Sequence, residues 1–479
     1  MKAFIKLFPL ILLSAFSTSL VAAEEPRPNI VFILADDMGY GDCGVYNLES
    51  KIDTPHIDQL AKEGLRFSDA HAAASTCTPS RYGLLTGINP ARTGVLNTLL
   101  KRGDPIIAKD ETTIASFLKD QGYITRMIGK WHLGFEMDRS GKKPALDFSK
   151  PLVGGPLDHG FDSFYGIHSS PGAAPLCYIR GREVVDRPTE KTTWKKDNQG
   201  AKSKTVKGLM APRFVQEEVS PSFCREAVEI IREHAASKKS KPLFLYYASP
   251  IPHRPWVPSA AFKGKSKLGE YGDFVMQLDD VVEQINSALK ETGLDKNTIL
   301  VFTSDNGPGP RAVKAVSPFG HASAGVLRGK KSDSWEGGHR VPMIAKWPGR
   351  IEPSSVTAAT VNFTDFFATL AEMLDVDLAK ACPGQAEDSY SFFPVLLNPS
   401  TEHQRPAAIH GRHAIRDGDW KLISSARHED AAKVKRSRFG LYNLADDIAE
   451  QNDVSQTYPE RAKRLFTEFR KFAESRKLK

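Results

Sequence analysis

The stretch "NIVFILADD", Asn29 to Asp37, is apolar for six consecutive residues and then acidic for two. A strand with one wet face alternates polar and apolar residues. An unbroken apolar run is instead buried on both faces, as strands of a parallel sheet are. "YITRMIG", "PLFLYYAS" and "TILVFTS" read as further strands. Between them lie segments with helical spacing: "TPHIDQLAKEG", with Pro55 near its start and Gly64 as C-cap; "TTIASFLKDQG", closed by Gly122; "SFCREAVEIIREHAASK"; and "DFVMQLDDVVEQINSALKETG". Strands alternating with helices predict an α/β fold, a large, mostly parallel sheet with helices on both faces.

The pattern changes towards the end. "RHAIRDGDWKLIS" reads as a hairpin around Asp417-Gly418, and "PERAKRLFTEFRKFAESRK" as a final amphipathic helix. These predict a smaller C-terminal α+β subdomain, an antiparallel sheet plus a helix, over residues 375–479, behind a catalytic domain at 24–374. The segment from Gly181 to Val219 has no clear period and reads as a long surface excursion. Residues 1–23 carry Lys2 and Lys6, an apolar run, and small residues at Val21-Ala22-Ala23, the layout of a cleaved signal peptide. The run is short of the roughly 20 residues that span a bilayer. The expected mature protein is therefore exported, periplasmic or secreted, without stable membrane insertion.

The charge of +8 falls to +6 once Lys2 and Lys6 are removed. Such a mild excess suits ordinary solubility and tolerates a polyanionic substrate; no nucleic-acid partner is expected. Five cysteines, Cys43, Cys77, Cys177, Cys224 and Cys382, are widely spaced with no C-x-x-C, which argues against zinc. An exported chain permits disulfides, but an odd count leaves at least one cysteine for another task.

The residues just past each strand carry the chemistry. Asp36 and Asp37 come after the first run, Lys130 and His132 close "YITRMIG", His253 comes after "PLFLYYAS", and Asp305 and Asn306 come after "TILVFTS". In parallel sheets, sites form at the carboxyl ends of strands, so these clusters are expected to share one edge. Asp36, Asp37, Asp305 and Asn306 offer only oxygen, which hard cations such as Ca²⁺ or Mg²⁺ prefer; singly, each pair also reads as a helix cap. Lys330 and Lys331 sit in a Gly-rich loop. His234 and His403 read as solvated.

"AASTCTPSRYGLLTG" places C-x-P-x-R at a predicted helix start, with Thr78 as cap and Pro79 as first helical residue. Cys77 there reads either as a low-pKa thiolate or as a small buried residue. Arg81 can fork onto oxyanions. Neither reading of Cys77 explains the proline and the arginine.

"CTPSRYGLLTG", with "GKWHLG", "PHRPWVP", "SDNG", "LRGKKSDSWEGGHRVP" and "LYNLADDIAEQND" in that order, resembles the formylglycine-dependent (type I) sulfatases of the alkaline-phosphatase-like superfamily. The resemblance implies that a separate maturation enzyme reads Cys77, Pro79 and Arg81 and oxidises Cys77 to Cα-formylglycine. It implies Ca²⁺ held by Asp36, Asp37, the modified Cys77, Asp305 and Asn306. A hydroxyl of the hydrated aldehyde, helped by Asp305, would attack sulfur. Arg81, Lys130 and Lys331 would offset charge, His253 would protonate the leaving alcohol, and His132 would serve as base in the second step. Counting from Leu327 selects Lys331 over Lys330. In "FDSFYGIHSS" the substrate-binding residue expected is Ser170 or His168, with Ser170 fitting the spacing better. "GIHSSPGAAPLCYI" is similar to bacterial carbohydrate sulfatases for sulfated galactose or N-acetylgalactosamine, so a sulfated saccharide is the expected substrate. A phosphonate monoester or phosphodiester hydrolase of the superfamily is the alternative. A non-catalytic glycan-binding protein is remoter, since it has no use for a diol nucleophile and two acid/base histidines.

Overall fold

A computed structural model describes residues 26–95, 103–141, 145–192, 206–237, 241–410, 413–424 and 439–475. The expected signal peptide lies outside the described residues. Ten strands form the main sheet, in spatial order Ser355–Thr357, Leu65–Phe67, Met343–Lys346, Thr298–Ser304, Asn29–Ala35, Leu243–Ala248, Ile124–Lys130, Ser163–Ile167, Ile179–Arg180, Glu183–Val184. The five strands from Thr298–Ser304 to Ser163–Ile167 run parallel. Antiparallel pairings join the next strands on both sides, and the edge strand Ser355–Thr357 pairs parallel with Leu65–Phe67.

The first strand shows why the run had to be continuous. Ile30, Phe32 and Leu34 enter one core, and Val31, Ile33 and Ala35 enter the other. Each large side chain contributes roughly 1.5–3 kcal/mol on burial, so a polar residue on either face would be costly. The helices Pro55–Lys62, Val219–Ala236 and Glu270–Thr292 cover one face; Cys77–Thr86, Ile114–Asp120 and Phe366–Met373 cover the other.

Several local expectations are corrected. Gly64 is not the cap of its helix; Glu63 is. A Cβ on Gly64 would lie 2.3 Å from the Ala345 carbonyl oxygen, so close backbone approach demands the glycine. The hairpin turn is Gly418-Asp419, one residue later, because Asp417 already pairs with Trp420. The described part of the excursion is partly ordered by pairing of Glu190–Lys191 with Leu209–Met210. His403 is not solvated: its side chain is 3% exposed and lies 3.7 Å from Asp365. All five cysteines are free. Among the described residues, no helix is long and apolar enough to cross a membrane.

The C-terminal sheet, Ala408–His410, Ala414–Asp417, Trp420–Ser424 and Phe439–Asn443, is antiparallel and carries the helix Pro459–Glu474. It meets the main domain through buried charge. Arg416 forks onto Asp69 at 2.6 and 2.8 Å. Lys421 bridges Glu336 at 2.9 Å and Glu450 at 2.8 Å. His71 and His339 approach Nδ1 to Nδ1 at 3.0 Å, and His339 stacks on His410 at 4.2 Å. One set of tautomers satisfies the chain. Lys421 donates to His339 Nε2, His339 Nδ1–H to His71, and His71 Nε2–H to Asp69; the Arg416 Nη1, 2.9 Å from that Nε2, then has Asp69 as its acceptor.

Burial holds all three histidines below their usual value, with Lys421 adding to this at His339 and the other two rings at His410. Burial also pushes Glu450 up to about 7. Below about pH 6.5 the unfolded chain charges three histidines that the folded chain keeps neutral; Glu450 opposes them by holding a native proton. Three groups outweigh one. The cluster's stability is present above about pH 6.5 and is lost as pH falls. We expect calorimetric Tm to drop between about pH 7.5 and 5, and to drop less in His410→Phe. A Tm that is flat across that window would contradict this.

Candidate active site

The carboxyl ends of the parallel strands bring the expected clusters together. Lys130 ends the strand Ile124–Lys130, and its neighbour Gly129 has φ 103°. A Cβ on Gly129 would lie 2.0 Å from the Ala248 carbonyl oxygen, so only glycine lets these strands close up here. Asp37, His132 and Ser332 take φ of 68°, 60° and 77°, unusual for residues with a Cβ. Such strain costs of order 1–3 kcal/mol each and gathers where side chains must be aimed.

Cys77 begins the helix Cys77–Thr86, buried along its whole length. Thr76, not Thr78, is the N-cap residue, so Pro79 stands at the third helical position. It still sits in the first turn, where the missing N–H costs nothing. The Thr78 hydroxyl instead donates to the His132 carbonyl at 3.1 Å. Cys77 Sγ lies 3.3 Å from Asp36 and 3.7 Å from Asp37. Burial first, then Asp305 and Asp36, push its pKa up, overriding Lys130 and Lys331. That direction counts against the thiolate reading: here the helix terminus is outweighed by burial and the surrounding carboxylates.

Those carboxylates are matched by three cations. Lys130 meets Asp36 at 2.6 Å, both fully buried. Arg81 donates to Asp305 through Nε at 3.0 Å and a terminal nitrogen at 2.8 Å, and to the Lys130 carbonyl at 3.0 Å. Lys331 Nζ contacts Asp37 and lies 3.0 Å from Cys77 Sγ. Burial opposes the charge of Asp37, yet Lys331, His253 and Asn306 outweigh it and hold the carboxyl below its usual range. Asp305 is raised by burial and by Asp36.

Of the expected ligands, Asp36, Asp37 and Cys77 have donor atoms within 4.8 Å of one another, joined by His253 and not by Asp305. Asn306 donates to Asp37 at 2.8 Å and to the Gly307 carbonyl at 2.9 Å, and its Oδ1 is buried with no hydrogen-bond partner. A buried lone oxygen beside crowded carboxylates is what an oxygen-seeking cation such as Ca²⁺ would satisfy.

Above this floor opens a cavity of about 430 Å³. His132, His253 and Lys331 line it with Asp37. The His253 Nδ1–H donates to the Arg254 carbonyl at 2.6 Å, leaving Nε2 towards Asp37 at 3.6 Å. Burial, with Lys331 and Lys130, holds His253 down at about 3 despite Asp37, so the ring is neutral in the free site. Ser169 and Ser170 line the cavity. His168 does not; its Nε2 lies 3.1 Å from the carbonyls of Ala173 and Pro175 and braces the loop. Sequence reasoning missed Arg254, Trp256, Tyr271 and Arg311 on the walls. Arg254 and Trp256 adjoin His253 in "PHRPWVP" and were within reach. Tyr271 and Arg311 carry no local signal.

The adjacent lysines separate cleanly. Lys330 Nζ reaches Asp333 at 3.3 Å, whereas Lys331 reaches Asp37 and Cys77. Lys331→Ala is expected to lower kcat/KM by roughly 10²–10³, as loss of one oxyanion-hole donor does. Lys330→Ala is expected to cost less than about tenfold, since it breaks only a half-exposed pair. Steady-state kinetics on the two variants, with melting as a folding check, decides; the reverse order would move the site register by one residue.

Comparison with known proteins agrees with this geometry. Residues 28–376 match the family model described as Sulfatase. The chain is 32% identical to an N-acetylgalactosamine-6-O-sulfatase of Bacteroides thetaiotaomicron, over 92% of each chain. It is 33% identical to arylsulfatase A of Homo sapiens, over 88% of this chain and 80% of that one. A solved structure from work on the metabolism of multiple glycosaminoglycans by Bacteroides thetaiotaomicron superposes with TM-score 0.81 at 30% identity, covering 94% of this chain and 100% of that one.

Proposed function

Because this chain belongs to the formylglycine-dependent sulfatase family and is a sulfuric ester hydrolase, we propose that it is an exported enzyme that releases sulfate from a sulfated saccharide, of galactose or N-acetylgalactosamine type, using formylglycine made from Cys77. The observation that carries this reading is convergence on Cys77. Asp36, Asp37, Lys130, Asp305 and Lys331, from four separate stretches of chain, and Arg81 on the same helix gather around one buried residue, Cys77. A hydrated aldehyde at that position supplies the nucleophilic oxygen that the thiol cannot, and the maturation enzyme is a required partner.

Ca²⁺ held by Asp36, Asp37, Asp305, Asn306 and residue 77 would lower the pKa of the attacking hydroxyl and draw charge from the sulfate. Arg81, Lys130 and Lys331, paired here with Asp305, Asp36 and Asp37, would stabilise the charge that builds on the sulfate oxygens. Asp305, its proton affinity raised by burial and Asp36, suits a group that takes a proton from the attacking hydroxyl. His253 Nε2 lies beside Asp37 at the cavity and would protonate the leaving alcohol once it has itself taken up a proton; burial first, then Lys331 and Lys130, oppose that uptake, and the negative charge of the arriving sulfate favours it. His132, also in the cavity lining, takes the proton when residue 77 is regenerated.

Protein co-produced with a formylglycine-generating enzyme is expected to release sulfate from nitrophenyl sulfate and to leave the matching phosphodiester nearly untouched. The opposite preference would favour the phosphodiesterase alternative. His253→Ala is expected to lose roughly 10²–10⁴ on a sugar sulfate, whose alkoxide needs a proton, and far less on nitrophenyl sulfate. Equal losses on both substrates would remove His253 from the acid role.

A further inference from the structure

The block "LYNLADDIAEQND" takes no part in the cavity: among the described residues, none of it lines the walls. It packs instead against the loop that carries Lys331. We infer that Glu450, in this block, is a positioning residue for Lys331: it pins both limbs of the loop 328–337 at their base and so holds the lysine on Asp37 and residue 77. This rests on the reading of Lys331 as a cation that meets the sulfate.

The loop is tight by construction. The Gly337 N–H donates to the Arg328 carbonyl at 2.7 Å and closes the base. A Cβ on Gly337 would lie 2.6 Å from the Gly329 carbonyl oxygen, and one on Gly338 2.2 Å from the Asp333 carbonyl oxygen, so only the glycine pair lets the limbs approach. Further out, the Lys331 N–H donates to the Pro308 carbonyl at 3.0 Å and the Ser332 N–H to the Ser75 carbonyl at 2.8 Å. Ser332 holds φ 77°, and strain of this kind persists only where the surroundings fix the chain. A lysine stem is flexible, so the place of its ammonium depends on where the loop holds its backbone.

Part of that fixing comes from 114 and 122 residues further along the chain. Glu450 Oε2 accepts the Glu336 N–H at 2.7 Å, and the Glu450 carbonyl accepts Arg328 Nη1 at 2.8 Å. One residue thus takes both limbs of the base. Its other carboxylate oxygen lies 2.8 Å from Lys421 Nζ, and that lysine reaches Glu336 at 2.9 Å. The Arg328 guanidinium lies 3.7 Å from the centroid of the Trp335 ring, which meets Tyr442 of the same block edge-on at 5.4 Å. Glu450 is fully buried and takes φ 53°. A buried carboxylate on a left-handed residue is costly both in desolvation and in backbone strain. Packing alone would be met by an apolar side chain; the buried Glu336 N–H requires an acceptor there.

The test joins amide hydrogen exchange to a double-mutant cycle on the matured enzyme. In Glu450→Ala, exchange over residues 329–338 is expected to quicken at least about tenfold. Its kcat/KM for nitrophenyl sulfate is expected to fall roughly ten- to hundredfold, the loss that about 1 Å of misplacement brings. In a Lys331→Ala background the same substitution is expected to cost less than about twofold more, since no ammonium is left to misplace. Glu450→Gln keeps an acceptor for the Glu336 N–H and is expected to stay within about threefold of native on both readouts. Leu465→Ala, in the other core cluster of the subdomain, controls for lost stability: Tm falls, while loop exchange and kcat/KM below melting stay within about twofold of native. Equal losses from Glu450→Ala with and without Lys331 overturn the inference, as does an unchanged loop. So does a loss in Leu465→Ala that matches the one in Glu450→Ala, because any weakening of the subdomain would then act alike. If Glu450→Ala does not fold, Glu450→Asp tolerates the positive φ and withdraws the carboxylate by one methylene. Faster loop exchange and the same non-additivity are expected in it, and native behaviour overturns the inference. Failure of the native enzyme to release sulfate from any ester, nitrophenyl sulfate included, would instead overturn the sulfatase reading, and exchange over 329–338 still decides whether Glu450 holds the loop.

Discussion

Cys77→Ala lowers sulfate release to the level of the remaining electrostatic site, a fall on the order of 10⁶ by analogy with removing the nucleophile of a hydrolase. The size reflects what else is present. Arg81, Lys130 and Lys331 would still bind sulfate, but no remaining side chain in the cavity floor is placed to attack it. Asp36 and Asp305 are tied to Lys130 and Arg81, and the proposal assigns His253 to the leaving group. The helix loses little, because alanine is a good first-turn residue and residue 77 contributes no cap bond. Melting within a few degrees of native, with turnover lost, is the expected pair of results. Turnover that survives in the alanine variant would remove residue 77 from the chemistry.

The second large effect concerns the cation. Asp305→Ala is a poor probe, because it leaves Arg81, 1% exposed, without its carboxylate. Breaking a buried pair that way costs about 3–5 kcal/mol and confuses metal loss with unfolding. Asn306→Ala is cleaner, since among the described residues its side chain bonds Asp37 and Gly307. It is expected to lower bound Ca²⁺, read by elemental analysis after dialysis, and to lower turnover by several kcal/mol in barrier, on the order of 10³ or more. Excess Ca²⁺ should recover part of both. Unchanged metal content with lost turnover would give Asn306 another role, and chelated protein with full turnover would sink the metal assignment.

Much of the candidate site was legible because each proposed side chain sits close to a strand end or in a stiff Pro- or Gly-rich loop. Asp36, Lys130 and Asp305 are dictated by where buried runs stop, and parallel topology does the rest. Loop spacing favours Lys331 over Lys330, and in the structure the two reach different acids, Asp37 and Asp333. The features that escaped depend on contacts that no window of sequence contains. Arg416 and Asp69 are 347 residues apart, and Lys421 and Glu336 are 85 apart. His403 reads as a loop histidine because nothing local announces Asp365 behind it. His168 and Ser170 are close neighbours, and only the fold of the loop decides which faces the cavity. The helix start was misplaced because Thr76 and Thr78 are equally good caps on paper, while the Thr78 hydroxyl has a better partner in the His132 carbonyl.

The central claim, that residue 77 works as formylglycine, is met most directly by one titration. Protein produced with graded amounts of the maturation enzyme gives samples in which peptide mass spectrometry reads the aldehyde fraction at residue 77, and sulfate release from nitrophenyl sulfate is measured on the same samples. The predicted result is turnover proportional to the aldehyde fraction, with a line through zero. Turnover that is constant across the series, or highest in samples whose Cys77 is an unmodified thiol, would contradict it.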